Sequence, residues 1–232
     1  MKALELGRAA TVTFGGQVVV AGGLATAAAI GVRDLAGCRR PRARALAALG
    51  AAAVYVGVAE PWMARWGTTA DERRAALPGD ELVPAPGIAI DHGVTIEAPA
   101  DRVWPWLAQI GQDRGGFYSY EWLENLAGCR MSNADRIHPE WQQRRVGESV
   151  MLHPLAPGLP VTIFEPPRVL GLEGWGVFVV EPQGPGRSRL LARGRVPKGL
   201  PSLLYRTTLA VPHFVMQRRM LLGIKDRAES GR

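Results

Sequence analysis

Residues 98–141 read APADRVWPWLAQIGQDRGGFYSYEWLENLAG and then CRMSNADRIHPEW, and they hold four of the seven tryptophans. Pro99 ends the strand-like pattern that precedes this block, and Asp101 is a suitable start for a helix. Gly111 ends that short helix, and a second one is predicted to begin near Ser119. The block therefore predicts two short helices directly after a first strand.

The flanking sequence extends this pattern into an α+β domain. Ile88–Glu97 alternates apolar and polar residues with the period of a half-buried strand. After Gly147, turns rich in proline and glycine separate five short strands, as in an antiparallel meander. Their predicted ranges are Ser149–Leu155, Val161–Phe164, Val169–Leu172, Trp175–Val180 and Ser188–Val196. Leu200–Ala228 then predicts a long amphipathic helix that Pro212 must kink or interrupt. We expect the sheet to curl around this helix and leave a gap.

Four motifs resemble those of the START-like helix-grip superfamily, also called SRPBCC. They are APADRVWPWLAQIG, RGGFYSYEWLEN, ADRIHPEW and the terminal VMQRRMLLGIKDRAE. The resemblance covers residues 88–228 and is greatest to bacterial, membrane-anchored members of unassigned activity. It implies a hydrophobic cavity that binds lipid-like, polyketide-like or other small apolar molecules. It does not imply one reaction, because the superfamily includes transfer proteins, cyclases and dehydratases.

Two apolar runs predict a membrane hairpin over residues 1–66, followed by a linker at 67–87 and the START-like domain at 88–232. Val12–Val32 has no charged residue and is long enough to cross a hydrocarbon core of about 30 Å. Small residues near its end also fit a signal-peptide cleavage site, which is the alternative. Ala45–Ala59 becomes long enough when it continues to Ala64, with Glu60 snorkelling towards the surface.

The loop between the two runs is rich in arginine. Its basic residues are Arg33, Arg39, Arg40, Arg42 and Arg44, against Asp34 alone. The positive-inside rule places such a loop in the cytoplasm, so the large domain is expected outside the cell membrane. The formal net charge of +7 thus has a membrane explanation, and no nucleic-acid-binding motif accompanies it. The expected partners are the membrane and a hydrophobic small molecule or lipid, with no nucleic acid and no cofactor.

Candidate ligand-binding residues flank the glycine-rich turn at 115–116, where a helix-grip cavity would open. The guanidinium of Arg114 and the phenols of Tyr118 and Tyr120 could orient a polar head group or ketone. The alternative is that Tyr120 and Trp122 fill the core and Arg114 pairs with a carboxylate. The remaining candidates are Trp106, Trp122, Trp175, Arg193, Phe214 and Met216. Arg193 and Arg195 lie on one face of a strand, which points either into the cavity or into solvent.

Candidate catalytic residues are His138, Asp135 and Tyr118. A histidine near a carboxylate can be tuned to titrate near neutral pH, as acid–base chemistry requires. The spacing of His138 and Glu140 matches no zinc motif, so no metal site is predicted. Pro139 favours a different role for this segment, in which Asp135 and His138 cap backbone groups at a turn.

These patterns leave three functional hypotheses open. The first is a membrane-tethered domain that binds a hydrophobic small molecule or lipid. The second is a cyclase or dehydratase that acts on a polyketide-like or other apolar substrate in the same cavity. The third is a protein-interaction scaffold whose interior is filled by its own side chains. The volume beneath the terminal helix distinguishes the third hypothesis from the first two.

Overall fold

The computed structural model describes residues 41–231 of the chain. The first predicted membrane span, Val12–Val32, and most of the arginine-rich loop lie outside these residues. The helices are α1 (Pro41–Val54), α2 (Glu60–Ala64), α3 (Ala70–Arg74), α4 (Ala100–Ala108), α5 (Glu121–Leu126), α6 (Leu200–Leu204) and α7 (Ala210–Ser230). Two π-helical turns, Tyr55–Ala59 and Tyr205–Leu209, join α1 to α2 and α6 to α7. Single 3₁₀ turns cover Asp80–Leu82 and Pro139–Trp141.

The strands form one six-stranded antiparallel sheet, which confirms the α+β class. They are β1 (Ile88–Ile96), β2 (Ser149–Val150), β3 (Leu159–Glu165), β4 (Val169–Leu172), β5 (Gly176–Pro182) and β6 (Ser188–Val196). The order across the sheet is β1-β6-β5-β4-β3-β2. The first strand therefore pairs with the last, from Ile88 opposite Val196 to Ile96 opposite Ser188. The remaining strands follow as the predicted meander.

The helix Leu46–Ala64 is long and apolar enough to cross a membrane. It has 19 residues with a mean hydropathy of 1.4, and only 11% of this stretch is buried inside the protein. At about 1.5 Å per residue its length is close to the thickness of a bilayer core. Glu60 does not snorkel as expected, because its buried carboxylate accepts a hydrogen bond from Arg206 at 2.9 Å.

One or two residues separate each π-helical turn from the proline that follows it. Pro61 follows the turn at Tyr55–Ala59, and Pro212 follows the turn at Tyr205–Leu209. A proline has no N–H to donate to the carbonyl four residues earlier, and its ring collides with that carbonyl. Widening the preceding turn accommodates both effects without ending the helix. The predicted interruption at Pro212 thus takes the form of a wide turn.

The main core lies between one face of the sheet and the helices α4 and α7. Trp106 is 1% exposed and Tyr118 is equally buried, with ring centroids 5.7 Å apart in an edge-to-face contact. The guanidinium of Arg227 on α7 lies 4.6 Å from the centroid of the Tyr118 ring. These contacts hold α7 against α4 and the turn that precedes α5.

Close approach of α7 to the turn at Tyr118 depends on Gly223. A Cβ added at Gly223 would collide with the carbonyl oxygen of Tyr118 and lie 2.8 Å from its Cβ. We expect Gly223→Ala to lower the free energy of unfolding by about 1–3 kcal/mol, because α7 must shift away. Gly50→Ala is the matched control, since a Cβ there meets open space within a helix. Denaturant melts in detergent that give equal stabilities for both variants would contradict this packing.

The outer face of the sheet is covered by the segment predicted as a linker. Leu77 joins a second cluster of buried residues with Val169, Val177, Val179 and Leu191. Thr69 and Glu72 form a reciprocal capping box that starts α3. Glu72 also accepts hydrogen bonds from Arg189 on β6, the shorter at 2.6 Å. Residues 67–87 are therefore part of the folded structure over much of their length.

Arg193 on β6 secures this covering segment. Its guanidinium donates to Asp91 at 2.6 Å and to Asp80 at 2.7 Å. It also donates to the backbone carbonyls of Ala75 and Glu72. Arg195 lies beside it and also pairs with Asp91, at 3.2 Å. The two arginines share a face, as expected, but that face is neither the cavity nor open solvent.

Candidate functional site

A cavity of about 120 Å³ lies between the sheet and the N-terminal half of α7. Its apolar wall comes from Phe117, Cys129, Met131, Leu152, Ala156, Pro157, Leu159, Trp175, Leu209, Pro212, Met216 and Met220. Its polar wall comes from Ser119, Glu124, His153, His213 and Gln217. The cavity is partly open, since Pro157 and other wall residues are accessible to solvent. A concave, mostly apolar site with a few polar groups is the usual form of a small-molecule site.

Several elements position the apolar walls. Trp175 precedes β5, with ring centroids 5.4 Å from Phe117 and 5.9 Å from Phe178. On the opposite side, Met216 and Met220 are one helical turn apart on α7, so both face the sheet. Methionine side chains are flexible and polarisable, which suits a wall that adapts to a ligand.

Three buried polar atoms on the cavity wall lack a hydrogen-bond partner among the described residues. They are Glu124 Oε2, Trp175 Nε1 and Gln217 Oε1. An unpaired polar atom in a protein interior costs about 1–3 kcal/mol. Together they offer one N–H donor, one amide acceptor and a carboxyl that donates or accepts according to its protonation state. The site can therefore satisfy a ligand that carries a hydroxyl or carbonyl group.

The carboxyl of Glu124 lies on the cavity wall, and its pKa is close to neutral pH. Burial is the larger cause and nearby Glu121 the smaller one, and together they raise the pKa of Glu124 to about 7. The side chain lies on α5, and the residue is 8% exposed. At neutral pH this carboxyl is present in both protonation states, so it can accept or release a proton.

His213 on the cavity wall lies beside His92 of β1. The rings of His92 and His213 have centroids 6.2 Å apart. Burial, aided by His92, lowers the pKa of His213 to about 3, so its ring is neutral at physiological pH. Its Nδ1 accepts the hydroxyl hydrogen of Tyr205 at 2.8 Å. His92 donates through Nε2 to the carbonyl of Met63 at 2.8 Å, which ties β1 to α2.

Two of the predicted ligand-binding residues, Trp175 and Met216, line the cavity. Trp106 and Tyr118 lie in the core instead. Phe214 packs edge-to-face against Trp62 and Trp66, where α2 meets α7. These aromatic residues join elements of the fold.

The other predicted ligand-binding residues also lie away from the cavity. Arg114 donates to Glu148 at 2.5 Å and to the carbonyl of Trp141, so it holds a loop. Arg193 is part of the ion pairs on the outer sheet face. Tyr120 and Trp122 line an open surface groove together with Arg218 and Arg219. Ser119 is common to the groove and the cavity, so the two are neighbours.

The predicted catalytic residues do not converge on the cavity. The Tyr118 phenol accepts a hydrogen bond from Gln109 at 3.0 Å within the core, where burial raises its pKa. His138 stacks on Trp141 with centroids 4.0 Å apart and pairs with Glu140. Asp135 is exposed. The loop that carries His138 is fastened through its backbone N–H to Gln109.

Glu124, His213 and Gln217 are site residues that the sequence did not single out. Glu124 lies within the motif RGGFYSYEWLEN, and Gln217 lies within VMQRRMLL. Each looks like an ordinary polar position on a helix, and only the tertiary packing buries it. His213 follows Pro212 directly, and a histidine on an otherwise apolar helical face was the one available signal.

No protein-family profile matches the chain, and no curated protein matches its sequence.

Proposed function

We propose that this chain is a membrane-tethered binding domain for a small hydrophobic molecule with at least one hydrogen-bonding group. The proposal rests on the mostly apolar cavity under α7 and the three unpaired polar atoms on its wall. Apolar walls favour the transfer of a hydrophobic ligand out of water, and the polar atoms fix its orientation.

The volume of the cavity limits the size of the ligand. A cavity of about 150 Å³ lined by apolar residues can hold benzene, and the volume here is about 120 Å³. A single small ring or a short branched chain is about the largest ligand that this volume encloses. A longer lipid or polyketide would need α7 to move away from the sheet, or would place only one end inside.

Two further features support the proposal. A first strand paired with the last, two short helices after it and a long terminal helix match the order that the helix-grip resemblance implies. The helix Leu46–Ala64 provides a means of tethering, and the predicted span Val12–Val32 would complete a multi-pass anchor. A tether keeps the cavity close to molecules dissolved in the membrane and raises their effective concentration. The positive-inside argument puts the domain on the extracytoplasmic side.

The cyclase or dehydratase hypothesis has one observation in its favour. Such a reaction needs a proton-transfer group at the substrate, and Glu124, with its pKa near 7, lines the cavity. The enzyme in this form would use Glu124 rather than His138, Asp135 or Tyr118. Binding alone requires no such group, so we prefer the binding hypothesis. The scaffold hypothesis is disfavoured by the open volume beneath α7.

Fluorine NMR with two probes of nearly equal size tests the binding function. The full chain in detergent micelles is titrated with 4-fluorophenol and with fluorobenzene. We expect saturable binding of both, with the phenol several-fold tighter because its hydroxyl pairs with an unpaired wall atom, worth about 0.5–1.5 kcal/mol. Titrations of micelles without protein correct for partitioning of the probes into the detergent. Fluorine chemical shifts that change linearly with the concentration of both probes and never saturate would contradict the proposal.

A further inference from the structure

A row of exposed apolar side chains runs along the helix that leads into α7. Leu200 is 65% exposed, Leu203 is 59%, Leu204 is 38% and Val211 is 37%. Their spacing places them on one face of the helix. We call this face the leucine face. A contiguous apolar surface of this kind on a folded domain marks a site of contact with a protein or a membrane.

The leucine face lies next to the helix Leu46–Ala64. The Tyr55 hydroxyl donates to the carbonyl of Arg206 at 3.1 Å, and Arg206 pairs with Glu60. One to two turns further along, Trp62 contacts Phe214 with ring centroids 5.3 Å apart. Contacts between 55 and 206 and between 62 and 214 mean that the two helices run side by side in the same direction.

The neighbouring helix is also apolar on its exposed side. Its exposed residues include Leu46, Leu49, Val54, Val56, Val58 and Trp62, from 45% to 70% accessible. The leucine face therefore continues an apolar surface that already belongs to the candidate membrane span. This continuity favours the bilayer over a protein partner as the occupant.

The hydroxyl groups near the leucine face are bonded to the backbone. Thr207 donates to the carbonyl of Leu203 at 2.8 Å, and Thr208 donates to that of Leu204 at 2.7 Å. Ser202 donates to the carbonyl of Pro197 at 2.6 Å. Polar groups satisfied within their own helix can enter a lipid environment at low cost.

A basic groove lies between the C-terminal part of Leu46–Ala64 and the start of β1. Four arginines, Arg65, Arg73, Arg195 and Arg206, line it together with two carboxylates, Glu60 and Asp91. Arg206 pairs with Glu60 and Arg195 pairs with Asp91, so Arg65 and Arg73 supply the surplus positive charge of the groove. Basic residues beside an apolar membrane-contacting surface attract anionic phospholipids.

We propose that the leucine face is a second membrane-contacting element, inserted into an anionic bilayer beside Leu46–Ala64. The inference rests on the tether in the proposed function and adds that the domain itself docks on the lipid. Docking fixes the domain's orientation, because the anchor helix and the leucine face contact the bilayer together. Leu209 and Pro212 line the cavity and continue this helix, so docking also brings one wall of the cavity close to the bilayer.

Depth-dependent fluorescence quenching tests the docking. Single cysteines are introduced by Leu200→Cys, Leu49→Cys and Val146→Cys after Cys38→Ser and Cys129→Ala, and each is labelled with bimane. The three positions are 65%, 67% and 67% exposed, so they are matched in accessibility. The full chain is reconstituted in phosphatidylcholine vesicles with about one third phosphatidylglycerol and lipids carrying a doxyl quencher on the acyl chain.

We expect the doxyl lipids to quench the labels at Leu200 and Leu49 several-fold more than the label at Val146. Quenching at Leu49 without quenching at Leu200 would overturn the docking but leave the tether intact. Quenching at Leu200 without Leu49 would contradict the tether and, with it, insertion of the leucine face beside Leu46–Ala64. Equal quenching at all three positions, or at none, would overturn the docking.

Discussion

Replacing Arg193 with alanine should lower the free energy of unfolding by about 3 kcal/mol or more. The guanidinium lies between Asp91 and Asp80, and Asp91 is only 6% exposed. Removing one member of a buried ion pair leaves the other charge without compensation, which costs about 3–5 kcal/mol. Arg195 still reaches Asp91 at 3.2 Å, so we expect the lower end of that range. Denaturant unfolding in detergent measures the loss.

Arg187→Ala is the matched control for this prediction. Arg187 also pairs with a carboxylate, that of Glu97 at 3.3 Å, but both side chains are at least half exposed. Exposed pairs contribute about 0–1 kcal/mol, so little change is expected. The affinity for 4-fluorophenol should stay the same in both variants, corrected for the folded fraction. A lower affinity of Arg193→Ala for 4-fluorophenol, with unchanged stability, would instead indicate that Arg193 binds the ligand.

Replacing Glu124 with glutamine should make the protein more stable than the wild type above pH 7. Burial raises the pKa of Glu124 from 4.5 to about 7, so folding favours its protonated form. The stability that this carboxyl contributes is fully present below about pH 4.5. It is lost as the pH rises through 7, because the buried group must then ionise. The shift corresponds to about 3 kcal/mol.

Thermal melts of both proteins at pH 5 and pH 8 measure this effect. We expect nearly equal melting temperatures at pH 5 and a higher one for Glu124→Gln at pH 8. Glu165→Gln is the control, because Glu165 is exposed, and it should follow the wild type at both values. If the melting temperatures of Glu124→Gln and the wild type change with pH in the same way, burial does not raise the pKa of Glu124.

Much of the sheet could be predicted because its sequence pattern is local. The bounds of β4 and β6 agree with the predicted ranges Val169–Leu172 and Ser188–Val196. β2 is shorter than predicted, since it ends at Val150 and residues 152–157 form a loop beside the cavity. Pro154 and the turn at 154–155 prevent the strand from extending to Leu155 as predicted.

The segment at 67–87 shows the limit of composition-based reasoning. Its prolines, glycines and charged residues are typical of a linker, but Glu72 and Asp80 are partners of Arg189 and Arg193 on β6. Those partners are more than a hundred residues away in the chain. A sequence pattern contains no signal for such a distant pairing, so neither the packed segment nor the role of Arg193 could be foreseen.

The candidate site was predicted in its location more than in its residues. A gap between sheet and terminal helix followed from the order of the elements, and the predicted ligand-binding residues Trp175 and Met216 line it. Tyr118 and His138 were attractive as chemical groups, yet the Tyr118 phenol is bonded to Gln109 in the core and the His138 ring stacks on Trp141. Glu124 acquires its unusual pKa only because the fold buries it. Chemistry that arises from burial cannot be seen in residue types alone.

Binding of 4-fluorophenol to a variant with a filled cavity tests the central claim most directly. Met216→Trp places a large side chain in the wall of the cavity, and Leu126→Trp adds the same side chain at a surface position that is 77% exposed. We predict that Met216→Trp weakens binding at least about tenfold, a change of about 1.4 kcal/mol, while Leu126→Trp binds like the wild type. Equal saturable binding by all three proteins would place the ligand elsewhere and contradict the account.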